Sequence, residues 1–487
     1  MAPGLLATDG YKFSMAEAGF PLRPETFYYS HRCGGPHILP FDVETTVRAL
    51  LPTVCDTDYA TLSGYGYGMG GAFRHALESG QVTLRALPKG SWFFDREPVF
   101  TVTGPSALVS WLEPLVLQLH YRIQVATLAV LSTPEELAAA VGTVTCTRQR
   151  ELVLETLEAV GVRAPSIVVD SPSYRAHVRD RVRGLIDCVG DPLRLFEVGL
   201  RAATCPEQHT IALQACQEVG VVSTSHVQAA QDLGMRAVGT MGHEHVQRHG
   251  SDAAAFRAMR DRHPGPTSFL LDTWSTLHSG LPTAYALIAE DPSRHDTVRF
   301  DSGDKETQFL IANSMAKAAG VRPRFILEDG FTAAMTTRFE ELRAFAGLPP
   351  EDVLYGYGGY IVKAPGDPLT RDRVAAVYKL TQSGPQPTMK FGDEPGAGKE
   401  SVPGEPVLWR RYARNRWSGV IGQLGEDSAE DLCLTGLGAD DTLRVQFTPS
   451  EAMAFAAAQG EGPALSPETR DLVHALTQAR QAQLIRR

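Results

Sequence analysis

Short apolar runs, each closing on a small, polar or acidic residue and then giving way to a helix-like stretch, constrain this chain more than any other feature. In order they are VGVVSTS (219–225), MRAVGT (235–240), TSFLLDT (267–273), TVRFDSGD (297–304), PRFILEDG (323–330) and DVLYGYGG (352–359). After the first pair they recur at about 30 residues, the length of one β-α repeat. Stretches 252–262, 307–319 and 332–346 carry amphipathic helical patterns between them. Parallel strands covered on both faces read as continuous apolar runs, and serial β-α repeats build a parallel sheet, open or closed. In either form ligands gather beyond the C-terminal strand ends, where Ser225, Thr240, Asp272, Asp301, Asp329 and Gly358 fall. Taken singly, these residues serve equally well as helix caps and turn formers. Six in register are better explained by a shared mouth.

The rest of the chain reads differently. Residues 1–125 predict an α+β domain, with TFYYSHR, QVTLRALP and PVFTVTGP as strands. The run 111–131 predicts one long, largely buried helix, and 126–195 a helical connection or insertion rich in Ala, Glu and Arg. The barrel repeats occupy 196–380, and 381–487 is a loop-rich segment with a C-terminal extension. There, 382–406 is dense in Gly and Pro, VLWRRYARNRW and LRVQFTPS offer strands to complete the N-terminal domain, and a charged helix closes the chain. A net charge of −10 argues against a general nucleic-acid binder, but not against phosphate ligands, which need local donors. Seven cysteines (33, 55, 146, 188, 205, 216 and 433) contain no C-x-x-C pair, so neither a disulfide framework nor a structural zinc site is expected. With no basic-then-apolar start and no run of 18 apolar residues, neither signal peptide nor membrane span is expected, and the protein is expected to be soluble and cytoplasmic.

Four segments can carry chemistry. Gly239-Thr240-Met241-Gly242-His243-Glu244-His245 follows a strand with two glycines, a hydroxyl and an imidazole that can act as acid, base or phosphoryl acceptor. A capped helix start with surface histidines is the plainer reading, and His243, His245 and His249 also admit a zinc reading, although i, i+2 spacing splits the first two across a helix. Arg299-Phe300-Asp301-Ser302-Gly303-Asp304 places Asp301 and Asp304 where they suit Mg²⁺ on a pyrophosphate, or ribose hydroxyls, unless it is simply a turn. Tyr355-Gly356-Tyr357-Gly358-Gly359-Tyr360 can offer backbone N–H groups to a phosphate, or only turn. In Glu197-Val198-Gly199-Leu200-Arg201 the arginine can grip an anion, or be merely exposed.

Together these segments resemble the nicotinate phosphoribosyltransferase family, with some features of its nicotinamide-using relatives. The likeness starts at LLATDGYKFSM, similar to L-x-T-D-x-Y-x-x-S/T-M. It continues through GSWFFDREPVFTVTGP, LEPLVLQLHYRIQVAT, FEVGLRAA, GTMGHE, LLDTW, VRFDSGD and YGYGG to AVYKL and a final K-F-G…K-E-S-V-P-G. It covers most of residues 4–410 outside 133–190. The resemblance implies an irregular α/β barrel of the type II phosphoribosyltransferase kind, with an N-terminal α+β domain and a helical insertion, working as a homodimer in NAD salvage. It implies nicotinate, 5-phosphoribosyl pyrophosphate and ATP as substrates, with Mg²⁺. Tyr11 would stack on the pyridine across the dimer interface, Arg201 would face the base, and His243 would be phosphorylated by ATP. Asp301 and Arg299 would contact ribose and pyrophosphate, Gly330, Gly358 and Gly359 would cradle the 5-phosphate, and Thr224, Thr240 and Asp272 would also line the substrate site. Ser225 falls where the nicotinamide branch has aspartate, which favours an anionic base. Against that, L-T-R-D (369–372) looks like the nicotinamide branch, with Arg371 in reach of a phosphate; D-T-W-S (272–275) and His226 depart from the family pattern. Nicotinamide transfer and a non-catalytic nucleotide- or metal-binding barrel are the alternatives.

Overall fold

The computed structural model describes residues 2–485 apart from 240, 264, 392, 394–399, 414–415, 427–446 and 460–461. The N-terminal region builds strands β1 (Pro24–His31), β2 (Thr83–Ala86) and β3 (Phe100–Pro105). The repeat supplies β4 (Leu195–Glu197), β5 (Ser223–Thr224), β6 (Arg236–Ala237), β7 (Ser268–Leu270), β8 (Thr297–Phe300), β9 (Arg324–Leu327) and β10 (Val353–Tyr357). Strand β11 (Ala376–Ser383) follows them.

Strands β4 to β10 form one seven-stranded sheet in the order β6-β5-β4-β10-β9-β8-β7, every pair parallel. Consecutive strands are neighbours except β6 and β7, and the first, β4, also pairs with the last, β10. The sheet therefore curls into a barrel whose one unpaired seam lies between β6 and β7. A buried parallel strand has no solvated face, and its core bears this out: Phe269, Leu271, Val298, Phe325, Leu327 and Val353 are buried in one cluster with the covering helices. Those helices fall where the amphipathic patterns lie, at Asp252–Arg262, Lys305–Ala319 and Ala333–Phe345. Side chains of Ser251, Asp304 and Thr332 cap them.

The sheet of the α+β domain is completed from the far side of the barrel, not from the C-terminal extension. Strand β11 pairs antiparallel with β1, which pairs antiparallel with β3, and β2 flanks β3. After two short helices, Gly359–Val362 and Arg371–Val374, the chain passes from the last barrel strand into a strand of the other sheet, and residues of both line the cavity at the barrel mouth. Pro406–Ala413 forms a strand, but it pairs with Arg416–Gln423 in a separate three-stranded sheet rather than extending that of the N-terminal domain, and Pro467–Ile485 forms a closing helix. Half of the second proposed strand, LRVQFTPS, lies outside the described residues, and a helix begins at Pro449.

One expectation needs correction. The run 111–131 is not one helix but part of three, Ser106–Trp111, Glu113–Leu117 and Leu119–Leu131. Pro114 lacks the N–H that would continue the first. The break at Gln118 is used: its Nε2 donates to the Leu200 carbonyl at 2.8 Å, holding the loop beyond β4. Among the described residues no helix is long and apolar enough to cross a membrane.

Candidate active site

The C-terminal ends of the barrel strands open on a cavity of about 590 Å³, lined among others by Tyr11, Arg201, Ser225, His243, Asp301 and Arg371. Arg299 lines it too. A smaller cavity of about 130 Å³ adjoins it, bounded by Gly330, Gly358 and Gly359 and sharing Arg201 and Arg371. Gly330 has φ +72°, a conformation open to glycine, and follows Asp329 at φ +60°. Thr240 lies outside the described residues.

His243 begins the helix His243–His249, just past the unpaired barrel seam. Its Nδ1 lies 3.0 Å from Thr273 Oγ1, and its Nε2 lies 3.1 Å from Asp301 Oδ2 and 2.8 Å from Lys390 Nζ. A neutral ring has one proton. With that proton on Nδ1, the ring donates to Thr273 and Nε2 accepts from the Lys390 ammonium. With it on Nε2, the ring donates to Asp301 and accepts from the Thr273 hydroxyl. Burial, helped by Lys390, lowers the His243 pKa against the pull of Asp272 and Asp301, so the ring is neutral near pH 7. Burial pushes Asp301 upward, but the His243 hydrogen bond and the Lys390 and Arg299 charges hold it well below the usual carboxylate range. Asp272 sits behind, 3.8 Å from His243 Nε2, accepting from Ser302 through Oδ2, while its buried Oδ1 has no hydrogen-bond partner among the described residues. Arg299 is held by Glu328 at 3.0 Å and by the Met241 carbonyl at 2.7 Å, tying β8 to the His243 loop.

On the same loop as His243, Gly239 (φ +126°) lets the N-terminal helix approach: a Cβ there would stand 2.9 Å from the Tyr11 nitrogen. Tyr11 enters the cavity of its own chain and donates to Glu113 Oε2 at 3.1 Å. Lys12 bridges Glu113 and Glu244 at 2.5 and 3.0 Å. Ser225 donates to Asp9 Oδ1 at 2.6 Å, and burial raises the Asp9 pKa.

Thr224 does not face the cavity. Its hydroxyl donates to Glu197 Oε2 at 2.8 Å, and Oε1 of the same carboxylate faces His209 Nε2 at 2.9 Å. His209 Nδ1 lies 3.1 Å from His226 Nδ1, and the His226 backbone N–H donates to Thr224 at 3.2 Å. This closed ring of buried groups ties the tip of β4, which leads to Arg201, to the tip of β5, which carries Ser225. A carboxylate only accepts, whereas an amide has one acceptor oxygen in place of two. Glu197→Gln is therefore expected to cost about 1 kcal/mol of stability, the scale of one lost hydrogen bond, read as a lower Tm in a thermal melt.

The structure keeps Asp304 away from Asp301: it is exposed, and its carboxylate accepts from the Thr307 N–H as a helix cap. The zinc reading fails on placement, because His245 Nε2 faces the Ala255 carbonyl at 2.9 Å and His249 Nε2 the Ala18 carbonyl at 3.2 Å. His243, Asp272 and Asp301 do bring three ligand atoms within 4.8 Å of one another. Two lysines in the cavity escaped the reading of single residues. Lys390 touches His243, and Lys379, on β11, has its pKa lowered to about 7 by burial, against the attraction of Glu113. Both lie in segments of family likeness, AVYKL and KFG, but a lysine in a strand gives no sign of the face it takes.

The curled parallel sheet beside an α+β domain is the fold of solved nicotinate phosphoribosyltransferases. The solved nicotinate phosphoribosyltransferase of Vibrio cholerae shares that fold, with a TM-score of 0.60 at 15% identity over 82% of this chain and 90% of that one. In sequence the chain is similar to nicotinate phosphoribosyltransferases. It is 28% identical to the human enzyme over 355 residues, 69% of this chain and 62% of that protein, so the match spans under two thirds of the human relative. The likeness to the nicotinate phosphoribosyltransferase pncB2 of Mycobacterium tuberculosis is 26% over 487 residues, 96% of this chain and 89% of that one. No family model matches the chain.

Proposed function

We propose that this protein is a nicotinate phosphoribosyltransferase of NAD salvage, joining nicotinate to 5-phosphoribosyl pyrophosphate and releasing pyrophosphate. The convergence of Arg201, Arg371, His243 and Asp301 on one mouth beside a glycine-lined pocket carries this reading. The small cavity takes the 5-phosphate, with Arg201 and Arg371 at its entrance. The large one takes the pyridine ring near Tyr11 and Ser225. The pyridine nitrogen bonds to C1 as the C1–O bond to pyrophosphate breaks. That nitrogen carries no proton, so no general base is needed. Positive charge develops on the ribose, and Asp301, ionised at any physiological pH, stabilises it. Oxygens of Asp301 and Asp272, including the orphaned Oδ1, are hard donors that fit Mg²⁺, whose chemistry here is to neutralise the leaving pyrophosphate. Lys390, and Lys379 in its protonated form, line the same cavity and meet the polyanion.

Lys379 sets a pH dependence. With its pKa lowered to about 7 in the free protein, it is charged below that value and neutral above it. A bound polyanion favours the charged form, so the KM for 5-phosphoribosyl pyrophosphate is expected to climb up to about tenfold per pH unit above pH 7. Lys379→Met should flatten that climb, as a pH series on both proteins will check.

ATP assistance through His243 belongs to the same proposal. The tautomer protonated on Nδ1 leaves Nε2 as nucleophile, with Lys390 at 2.8 Å to meet the incoming phosphoryl oxygens.

One observation favours nicotinamide as the second reading. The Ser225 hydroxyl spends its donor on Asp9, and a carboxylate beside the ring would accept from a carboxamide. The raised Asp9 pKa weakens that preference, because burial disfavours the charged carboxylate that would accept from a carboxamide and repel a nicotinate. Turnover of the two bases at equal concentration decides between them: preference for nicotinate supports the proposal, and preference for nicotinamide replaces it with the second reading. Ser225→Asp would set a second carboxylate beside Asp9. It is expected to cut kcat/KM for nicotinate relative to nicotinamide by at least about tenfold, the scale of one unfavourable charge contact.

A further inference from the structure

Two cysteines from distant parts of the chain face each other with their sulfur atoms 3.5 Å apart, both buried. Cys146 precedes the helix Thr147–Ala159 of the inserted region, and Cys205 precedes the helix Pro206–Glu218 of the barrel. Their surroundings repeat. Thr145-Cys146-Thr147-Arg148-Gln149 and Thr204-Cys205-Pro206-Glu207-Gln208 share the pattern T-C-x-x-Q. In the first, Gln149 Oε1 accepts from both the N–H and the hydroxyl of Thr145, each at 2.7 Å. In the second, Gln208 Oε1 accepts from the same groups of Thr204, at 2.7 and 3.0 Å. The Arg148 N–H donates to Glu207 Oε2 at 2.8 Å, clamping one segment to the other. Neither backbone can withdraw its thiol without breaking its clamp.

We propose that Cys146 and Cys205 form a pre-positioned dithiol that a peroxide converts to a disulfide, stapling the helical insertion to the barrel loop that carries Arg201. A disulfide needs the sulfurs at about 2.05 Å, so the gap closes by roughly 1.5 Å. Cys205 is the attacking sulfur: the hydrogen bond from Cys146 holds its pKa below the usual thiol value, and that of Cys146 is raised in turn. Both sulfurs also stand at helix N-termini, where a thiolate is favoured. The Cys205 thiolate attacks hydrogen peroxide, forming an S–O bond and releasing hydroxide. The Cys146 sulfur then displaces the oxygen from the sulfenic acid as water, its thiol proton leaving with it. Two thiols and one peroxide thus give one disulfide and two waters.

The test is a peptide map of the full-length protein after hydrogen peroxide, with free thiols alkylated in denaturant before digestion. A linked Cys146–Cys205 peptide pair is expected, returning to two alkylated peptides after dithiothreitol, while exposed Cys33 and Cys55 stay unlinked to each other. In Cys146→Ser the linked pair should vanish and Cys205 should carry single-sulfur oxidation products. The proposal is overturned if both peptides stay alkylatable under peroxide that oxidises Cys33 and Cys55, or if either sulfur is over-oxidised in the wild type without any linked pair. The map needs no substrate, so its result is independent of the proposed catalytic function.

Discussion

Replacing Arg201 with alanine is expected to lower kcat/KM for the condensation about 10²- to 10³-fold, the largest loss from any single truncation at this site. Among the described residues its guanidinium has no hydrogen-bond partner, although it lines both cavities. Burial opposes its charge, but Tyr11, Glu113, Asp301 and Asp9 outweigh that and raise its pKa, so it stays charged at any working pH. A desolvated cation with idle donors is organised for a ligand rather than for the fold. Removing one partner of such a contact costs about 3–4 kcal/mol, within the range for buried charge pairs, and that is the fold-change above. Arg201→Lys keeps the charge without the planar fork. It should recover only part of the loss, mainly in KM for 5-phosphoribosyl pyrophosphate. Far-ultraviolet circular dichroism of both variants should match the wild type.

His243→Ala is expected to abolish transfer of label from γ-phosphate-labelled ATP to the protein, and with it any stimulation of turnover by ATP. ATP-independent turnover should persist at a reduced level, because the pyridine nitrogen needs no base and Asp301 remains. The labelled wild-type linkage should be acid-labile and alkali-stable, as a phosphoramidate is. The pKa shift gives the sign with pH. His243 lies below its ordinary value, so labelling should hold from neutral pH upward and fall as acid protonates Nε2. Persistent labelling of the alanine variant would move the phosphoryl acceptor to another residue.

The barrel was legible in the sequence because buried parallel strands leave continuous apolar runs, and all six runs of the repeat hold strands β5 to β10. Their lengths were not: in 219–225 only Ser223–Thr224 pairs, since apolarity reports burial and not hydrogen bonding. Strand β11 was invisible as a partner of β1, because pairing across some 350 residues leaves no local signal. Strand tips announced Ser225, Asp301 and Gly358 as polar or small residues that close an apolar run. The same cue misread Asp304, whose cap and whose possible metal contact look alike in sequence. Thr224 shows a related limit: a buried hydroxyl at a strand tip served Glu197, whose partner His209, itself paired with His226, comes from another element. Lys379 and Lys390 gain their meaning only from the cavity they share with His243.

The most direct test is to incubate the protein with 5-phosphoribosyl pyrophosphate, Mg²⁺ and carbon-14 nicotinate, then resolve the mononucleotide from the free base. One labelled nicotinate mononucleotide per pyrophosphate released, lost in Arg201→Ala, is the expected result. Label remaining wholly in the free base, while 5-phosphoribosyl pyrophosphate binds with ordinary affinity, would contradict a barrel mouth built to join the two.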